Sequence, residues 1–203
     1  MTKKIVIGVG ILVGIIAVLM ATGVFKFNVS VTPSSKEAAQ KEFVLPEGWQ
    51  KYSSGEFGYT VAYPDTWNLS EKNSDGSRDL LIVIPGNKAF VRITGYKDFS
   101  LSSKESVEAS IEEYKASFND KPNEQLEKFQ SKMEGKIGAF EAAGLMLAND
   151  VQYRFLERGL LATNGRVLIM RGSVSNAEGA ITQKEFEELS ATVRKIMDSF
   201  RPL

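Results

Sequence analysis

The residues with the richest chemistry in this chain are cationic. Arg154, Arg158 and Arg171 lie in two largely apolar stretches, Val151 to Thr163 and Arg166 to Val174, that flank Asn164-Gly165. An Asn-Gly step between such stretches is the strongest short hairpin signal, because both residues tolerate positive φ. A two-residue turn there sets Arg158 directly opposite Arg171, with Arg154 on the same face beside Leu156, Leu160, Val167 and Ile169. Two guanidinium groups facing each other across a ladder repel. They are tolerated where water solvates them, where carboxylates of a neighbouring element lie between them, or where an anionic ligand or partner does. The pattern marks Arg154, Arg158 and Arg171 as a candidate site for an anion or a partner.

Other chemistries have few residues to use. The 203 residues include no cysteine and no histidine. That removes thiol nucleophiles, disulfides, imidazole bases, Ser-His-Asp triads and the ligands on which zinc, copper and haem sites depend. Catalysis would have to use carboxylates, Lys, Tyr, or Ser with a Lys base. Ser70-Glu-Lys72 and Ser131-Lys132 lack Ser-x-x-Lys spacing, and Asp65, Asp75 and Asp79 fit no calcium-loop pattern. Glu108, Glu112, Glu113, Glu187 and Glu188 read as solvated helix faces. No catalytic residue, cofactor site or metal site is expected. Asn28-Val-Ser30 and Asn68-Leu-Ser70 match glycosylation acceptors, which matter only in a eukaryotic secretory context.

Several elements would hold these residues in place. Phe57 to Tyr63 alternates in strand fashion and ends at Pro64, while Asp79 to Ile84 and Ala89 to Tyr96 form a hairpin around Pro85-Gly86-Asn87. Ser102-Ser-Lys-Glu105 is a capping box opening a helix with Val107, Ile111, Tyr114 and Phe118 inward. Lys128 to Ile137 and Ala139 to Leu147 read as strands divided by Gly138. Thr182-Gln-Lys-Glu185 opens a second helix with Phe186, Leu189, Val193, Ile196, Met197 and Phe200 on one side. Trp67, Tyr52 and Phe57 are expected in the core. The order implies an α+β fold, an antiparallel sheet sandwiched by helices.

An uncharged apolar run, Ile5 to Phe25, precedes all of this, with Lys3 and Lys4 before it and Lys26 after it. At about 1.5 Å per residue its 21 residues match a hydrocarbon core, which takes roughly 20. The run is too long for a secretory signal, and Leu19 is too large for a cleavage site at Ala21. An uncleaved single-pass anchor is expected, its N-terminus cytoplasmic and the body extracytoplasmic at the cell membrane. Gly8, Gly10 and Gly14 resemble a dinucleotide loop, but no amphipathic helix or acidic residue follows as that motif needs. Gly10 and Gly14 instead match the small-xxx-small spacing by which two membrane helices pack, a route to a homodimer. The domains expected are thus an anchor over 1–26, a linker over 27–45 and a folded body over 46–203.

Three stretches of the body stand out together: Phe57-Gly-Tyr-Thr-Val-Ala-Tyr-Pro64-Asp-Thr-Trp67, the hairpin ending Asn164-Gly165-Arg166-Val167, and Ile196-Met-Asp-Ser-Phe200. In these and in the order of its elements the body resembles the PsbP family, the extrinsic photosystem II subunit, and its bacterial relatives in the PsbP/DcrB fold group. The resemblance spans roughly Trp49 to Arg201 and implies an antiparallel sheet between helices. It also implies mostly non-catalytic roles in binding or assembling other proteins at membranes. This chain departs from the plant subunit in carrying an anchor and no histidine.

Charge agrees with a role other than nucleic-acid binding. Of 25 basic residues three belong to the anchor, and all 25 acidic residues lie beyond it, so the body has 22 against 25, a net −3 with no basic tract. The expected partners are the lipid bilayer, through Ile5 to Phe25, and a protein at the membrane. The function expected is non-catalytic binding or assembly. The alternatives are an envelope hydrolase using carboxylates and a carrier of small anions using the arginines.

Overall fold

The computed structural model describes residues 44–74, 76–175 and 181–202. Among them the strands are β1 (Trp49–Ser54), β2 (Tyr59–Pro64), β3 (Asn68–Ser74), β4 (Ser77–Val83), β5 (Ala89–Lys97), β6 (Glu124–Glu134), β7 (Ile137–Ala148), β8 (Val151–Ala162), β9 (Arg166–Ser175) and β10 (Arg201–Pro202). Helix α1 (Lys104–Ala116) runs into a 3₁₀ turn, Ser117–Asp120, before β6, and α2 (Gln183–Ser199) lies between β9 and β10. Seven strands form one sheet in the order β3-β4-β5-β9-β8-β7-β6, and β1-β2-β10 form a second. All these neighbours pair antiparallel.

The two helices cover opposite faces of the large sheet. A Cβ on Gly138 of β7 would run into Val107 and Ile111 of α1, and one on Gly172 of β9 would run into Val193 and Met197 of α2. Gly138 and Gly172 lie on opposite faces in the register. These strand glycines are therefore gaps that admit helix side chains, and Gly138 does not divide two strands as the sequence suggested. The chain reverses instead at Gly135-Lys136, where Glu134 faces Ile137 and Gly135 has φ 59°.

Under α1 the core is aromatic. Val107, Ile111, Phe118, Phe140, Phe155, Leu161 and Val167 pack there, and Phe118 stacks on Phe155 at 6.0 Å while Phe129 stacks on Phe140 at 5.3 Å. Each such buried side chain stabilises the fold by about 1.5–3 kcal/mol before entropy. The α1 capping box forms one residue later than expected. Ser103 accepts from the Ser106 N–H at 3.2 Å, and Ser106 Oγ accepts from the Ser103 N–H at 3.1 Å, because Ser106 is close enough to reach back. Helix α2 begins as expected, with Thr182 accepting from the Glu185 N–H at 3.2 Å.

On the other face α2 meets the small sheet. Ser199 Oγ accepts from the Ala62 N–H at 2.8 Å and donates to the Ile196 carbonyl at 2.6 Å. Trp67 and Phe57 are buried and Tyr52 is half-buried, and a Cβ on Gly95 of β5 would press on the Phe57 ring. No helix among the described residues is long and apolar enough to cross a membrane. The run Ile5 to Phe25, with Gly10 and Gly14, lies outside the described residues.

Two turns fix the registers that matter most. Asn149 (φ 51°) and Asp150 (φ 61°) both take positive φ between the facing residues Ala148 and Val151, the two-residue primed turn. Between β8 and β9 the loop has three residues. Gly165 N–H donates to the Ala162 carbonyl at 2.9 Å, Gly165 alone of this loop takes positive φ (81°), and Leu161 faces Val167. This is a turn closed by a left-handed glycine, the usual three-residue hairpin. Asn164 instead uses its side chain, whose Oδ1 accepts from the Arg166 N–H at 3.2 Å. The Gly165 carbonyl accepts from the Asp98 N–H at 2.7 Å, which seats the loop against the end of β5.

A Cβ on Gly165 would lie 2.8 Å from the Asp98 carbonyl oxygen. Gly165→Ala should therefore cost about 1–3 kcal/mol. Asp150→Gly should stabilise by up to about 1 kcal/mol, because it relieves a left-handed non-glycine residue. Urea midpoints followed by the fluorescence of Trp49 and Trp67 measure both.

Candidate functional site

The three-residue loop moves the β8–β9 register by one position from the expected one, and a one-residue slip sends each side chain to the other face. Arg171 faces Glu157, and Arg158 faces Met170. Arg158 and Arg171 therefore do not oppose each other and lie on opposite faces of the sheet. Arg154 shares the face of Arg158, Leu156 and Leu160, while Val167 and Ile169 lie with Arg171. The like pair occurs one strand further on, where Arg92 of β5 faces Arg171 of β9.

On the α1 face, Arg171 is enclosed by acids. Its Nε donates to Glu157 Oε2 at 2.6 Å, and its two terminal nitrogens fork onto Glu124, Nη1 to Oε1 at 2.6 Å and Nη2 to Oε2 at 3.1 Å. The guanidinium also lies 4.6 Å from the centre of the Phe155 ring, a favourable cation–π distance. Glu157 is 2 % exposed, and its other oxygen accepts from the Tyr114 hydroxyl of α1 at 2.7 Å. Lys121 Nζ stands 3.7 Å from Glu124 and 4.4 Å over the Phe118 ring. Two cations and two carboxylates thus close a neutral cluster. Next to it, Asp79 accepts from Arg92 at 2.7 Å and from the Thr94 hydroxyl at 2.6 Å, which neutralises Arg92.

These contacts move the titrations in consistent directions. Burial would raise the Glu124 carboxyl, but hydrogen bonds and charge from Arg171, helped by Lys121, hold it below its ordinary 4.5. Burial likewise works against the Arg171 cation, and Glu124 and Glu157 more than compensate, so its pKa is raised. The Tyr114 hydroxyl is pushed up by burial and then by the Glu157 charge, and stays a donor. Burial would also raise Asp79, yet its bonds from Arg92 and Thr94 hold it low.

The opposite face repeats the scheme with other acids. Arg158 Nε donates to Glu141 Oε1 of β7 at 2.7 Å, and Nη1 donates to Asp198 Oδ1 of α2 at 2.7 Å. Glu141 is 2 % exposed and also accepts from Gln130 of β6 at 3.3 Å. Arg154 Nη1 donates to Glu127 Oε2 at 2.9 Å, both side chains being largely buried.

All three arginines are therefore bound to carboxylates of this chain, through strands β6, β7 and β8 and helix α2. What the arrangement does chemically is hold charge in fixed, desolvated pairs, with the acids committed as acceptors. Glu141 and Glu157, the two most buried acids, lie on opposite faces of the sheet and do not converge. Among the described residues no three acidic side chains come together as metal ligands. Glu124, Glu141 and Glu157 sit in no local motif that marks them as partners of the arginines. A signal does lie in Ala139 to Leu147, where Glu141 is the single charge in an apolar strand and so needs a buried partner.

No known family model matches the chain, and no curated protein matches it in sequence. In three dimensions it is similar to cyanobacterial PsbP (CyanoP) of Synechocystis sp. PCC 6803, with a TM-score of 0.52 and 13% identity over 79% of this chain and 96% of that one. Weaker likenesses join it to LpqN, described as involved in cell envelope biogenesis of Mycobacterium tuberculosis (TM-score 0.42, 13% identity, 75% of this chain and 90% of that one). They extend to the Saccharomyces cerevisiae Ran-binding protein Mog1p (TM-score 0.45, 8% identity, 76% and 95%). The last two scores are too low to bear on function. The fold is PsbP-like, a sheet-rich α+β domain with antiparallel sheets and two helices, and identity at this level shows the fold alone.

Two outcomes follow from the clusters. Arg171→Ala should destabilise by about 3–5 kcal/mol, because it strands the buried Glu157 and half-buried Glu124. Glu124 is harder to protonate folded than unfolded, so its contribution is complete above about pH 4.5 and is lost as pH falls through the lower folded value. The stability gap between wild type and Glu124→Gln should shrink across that window, measured as urea midpoints at pH 7 and at successive values below 4.5.

Proposed function

We propose that this is a single-pass, N-in membrane protein displaying an extracytoplasmic PsbP-like domain, related to the bacterial members of that fold group, that binds or helps assemble a protein partner without catalysis. The observation that carries the reading is the 21-residue uncharged run Ile5 to Phe25 with two lysines before it. A domain held near a bilayer meets other membrane components at raised effective concentration, so even a weak interface suffices.

The ion pairs weigh between the readings. A carrier of small anions would keep a guanidinium edge for its ligand, whereas Arg154, Arg158 and Arg171 each meet a carboxylate. A carboxylate hydrolase would need two acids converging on one cleft, whereas Glu124 and Glu157 are both bound to one arginine. These observations favour contact through a surface over chemistry in a pocket.

Protease added to intact cells should remove the domain, and full protection behind an intact membrane would contradict the N-in topology. Purification in mild detergent should bring a stoichiometric membrane protein with the chain. If the chain comes alone from membranes where it is correctly oriented, the adaptor reading fails while the topology stands.

A further inference from the structure

Strand β6 is the longest edge strand of the large sheet. It has 11 residues, and among the described residues nothing pairs with its outer side. An unpaired edge presents a row of backbone donors and acceptors that can template another strand. A register irregularity between Leu126 and Lys128 interrupts β6 near its start, which leaves Lys128 to Glu134 as the regular stretch. That stretch reads Lys-Phe-Gln-Ser-Lys-Met-Glu.

Its charges select one antiparallel register with itself. Facing residues must lie on the same side of the joined sheet, so only every second register is allowed. With Ser131 facing Ser131 of a second copy, Lys128 faces Glu134 twice, Phe129 faces Met133 twice and Gln130 faces Lys132 twice. Moving one allowed step either way puts Lys128 opposite Lys132, or Lys132 opposite itself, both repulsive. The faces agree with the fold, since Phe129 and Met133 both pack toward the α1 core. Glu134 already pairs with Lys132 of its own strand through Oε1, but its Oε2 is shielded from water with no hydrogen-bond partner, and a lysine of a second copy would supply one. The other edge lacks this property. In β3, Asn68–Ser74, Glu71 and Lys72 lie on opposite faces, so no allowed register sets one against the other, and where Ser70 faces itself Lys72 meets only Asn68.

We propose that the outer edge of β6 pairs antiparallel with β6 of a second copy of this chain about a two-fold at Ser131, joining two seven-stranded sheets into one. The pairing is isologous and closes at two copies. Seven paired residues span about 23 Å, and a shared membrane supplies the effective concentration that so small a contact needs. Lysines on an edge normally repel a second strand; here each meets an acid or an amide.

The chain has no cysteine, so one introduced thiol reports on one contact in the full-length protein in its native membrane. Mild oxidation of Ser131→Cys should give a species of twice the chain mass, and Ser70→Cys on the β3 edge should not. Adding Lys128→Glu to Ser131→Cys should lower the rate of that cross-link roughly tenfold, and adding Glu134→Lys as well should restore it. Equal cross-linking at Ser131 and Ser70, or no response to the charge reversal, would overturn the proposal. So would a bis-maleimide adduct of Ser131→Cys at a mass other than twice the chain, which would put a different protein on this edge.

Discussion

How many residues turn the chain between β8 and β9 governs the electrostatics of the whole sheet. With three, Gly165 takes the left-handed conformation, its carbonyl is held by the Asp98 N–H, and Arg171 arrives opposite Glu157. With two, each residue of β9 would exchange faces, bringing Arg171 across from Arg158 and turning apolar Val167 and Ile169 away from the α1 core. The preference is enforced at both ends. The loop is seated on β5, and the far end of β8 is set by the primed turn at Asn149-Asp150, which fixes its pairing with β7.

From that register follows a division of labour between the faces. The α1 side gathers Arg171, Glu157, Glu124, Lys121 and the Tyr114 hydroxyl, while the α2 side gathers Arg158, Glu141, Asp198 and Gln130. Burying a lone carboxylate costs several kcal/mol, and a well-formed pair roughly recovers that cost. These clusters therefore add less to net stability than to specificity. Any register or helix placement that broke one would leave Glu141 or Glu157 charged and dry. Helix α1 is tied to the sheet through Tyr114, and α2 through Asp198, so the polar clusters orient both helices over an apolar core that by itself would tolerate sliding.

Much of this was legible in the residues. The β4–β5 hairpin, the Thr182 cap, the buried Trp67 and Phe57 and the antiparallel α+β plan all follow from periodicity and turn chemistry. The turns misled where one dipeptide fits two geometries. Asn164-Gly165 satisfies the primed turn, yet only its glycine takes positive φ, and the primed turn forms at Asn149-Asp150, which carries no glycine to announce it. Strand glycines misled for a related reason. Gly138 looks like punctuation, but its missing side chain is room for Val107 and Ile111. The ion-pair partners were the hardest to foresee, because Glu124, Glu157 and Arg171 come from three strands and their meeting depends on a register that local sequence leaves open.

A domain that spends Arg154, Arg158 and Arg171 on its own acids has its surface and its edges left for recognition, which fits the proposal of a tethered binding module. That view stands or falls with the β8–β9 register, and a double-mutant cycle between Arg158 and Arg171 tests it most directly. Arg158→Met, Arg171→Met and the pair would be compared by urea unfolding of the full chain in mild detergent. Because the two side chains lie on opposite faces with no shared partner, each single change should destabilise and the two losses should add to within about 0.5 kcal/mol. If either single change stabilised the protein, or the second cost far less once the first was made, the arginines would be facing each other and the account would be wrong.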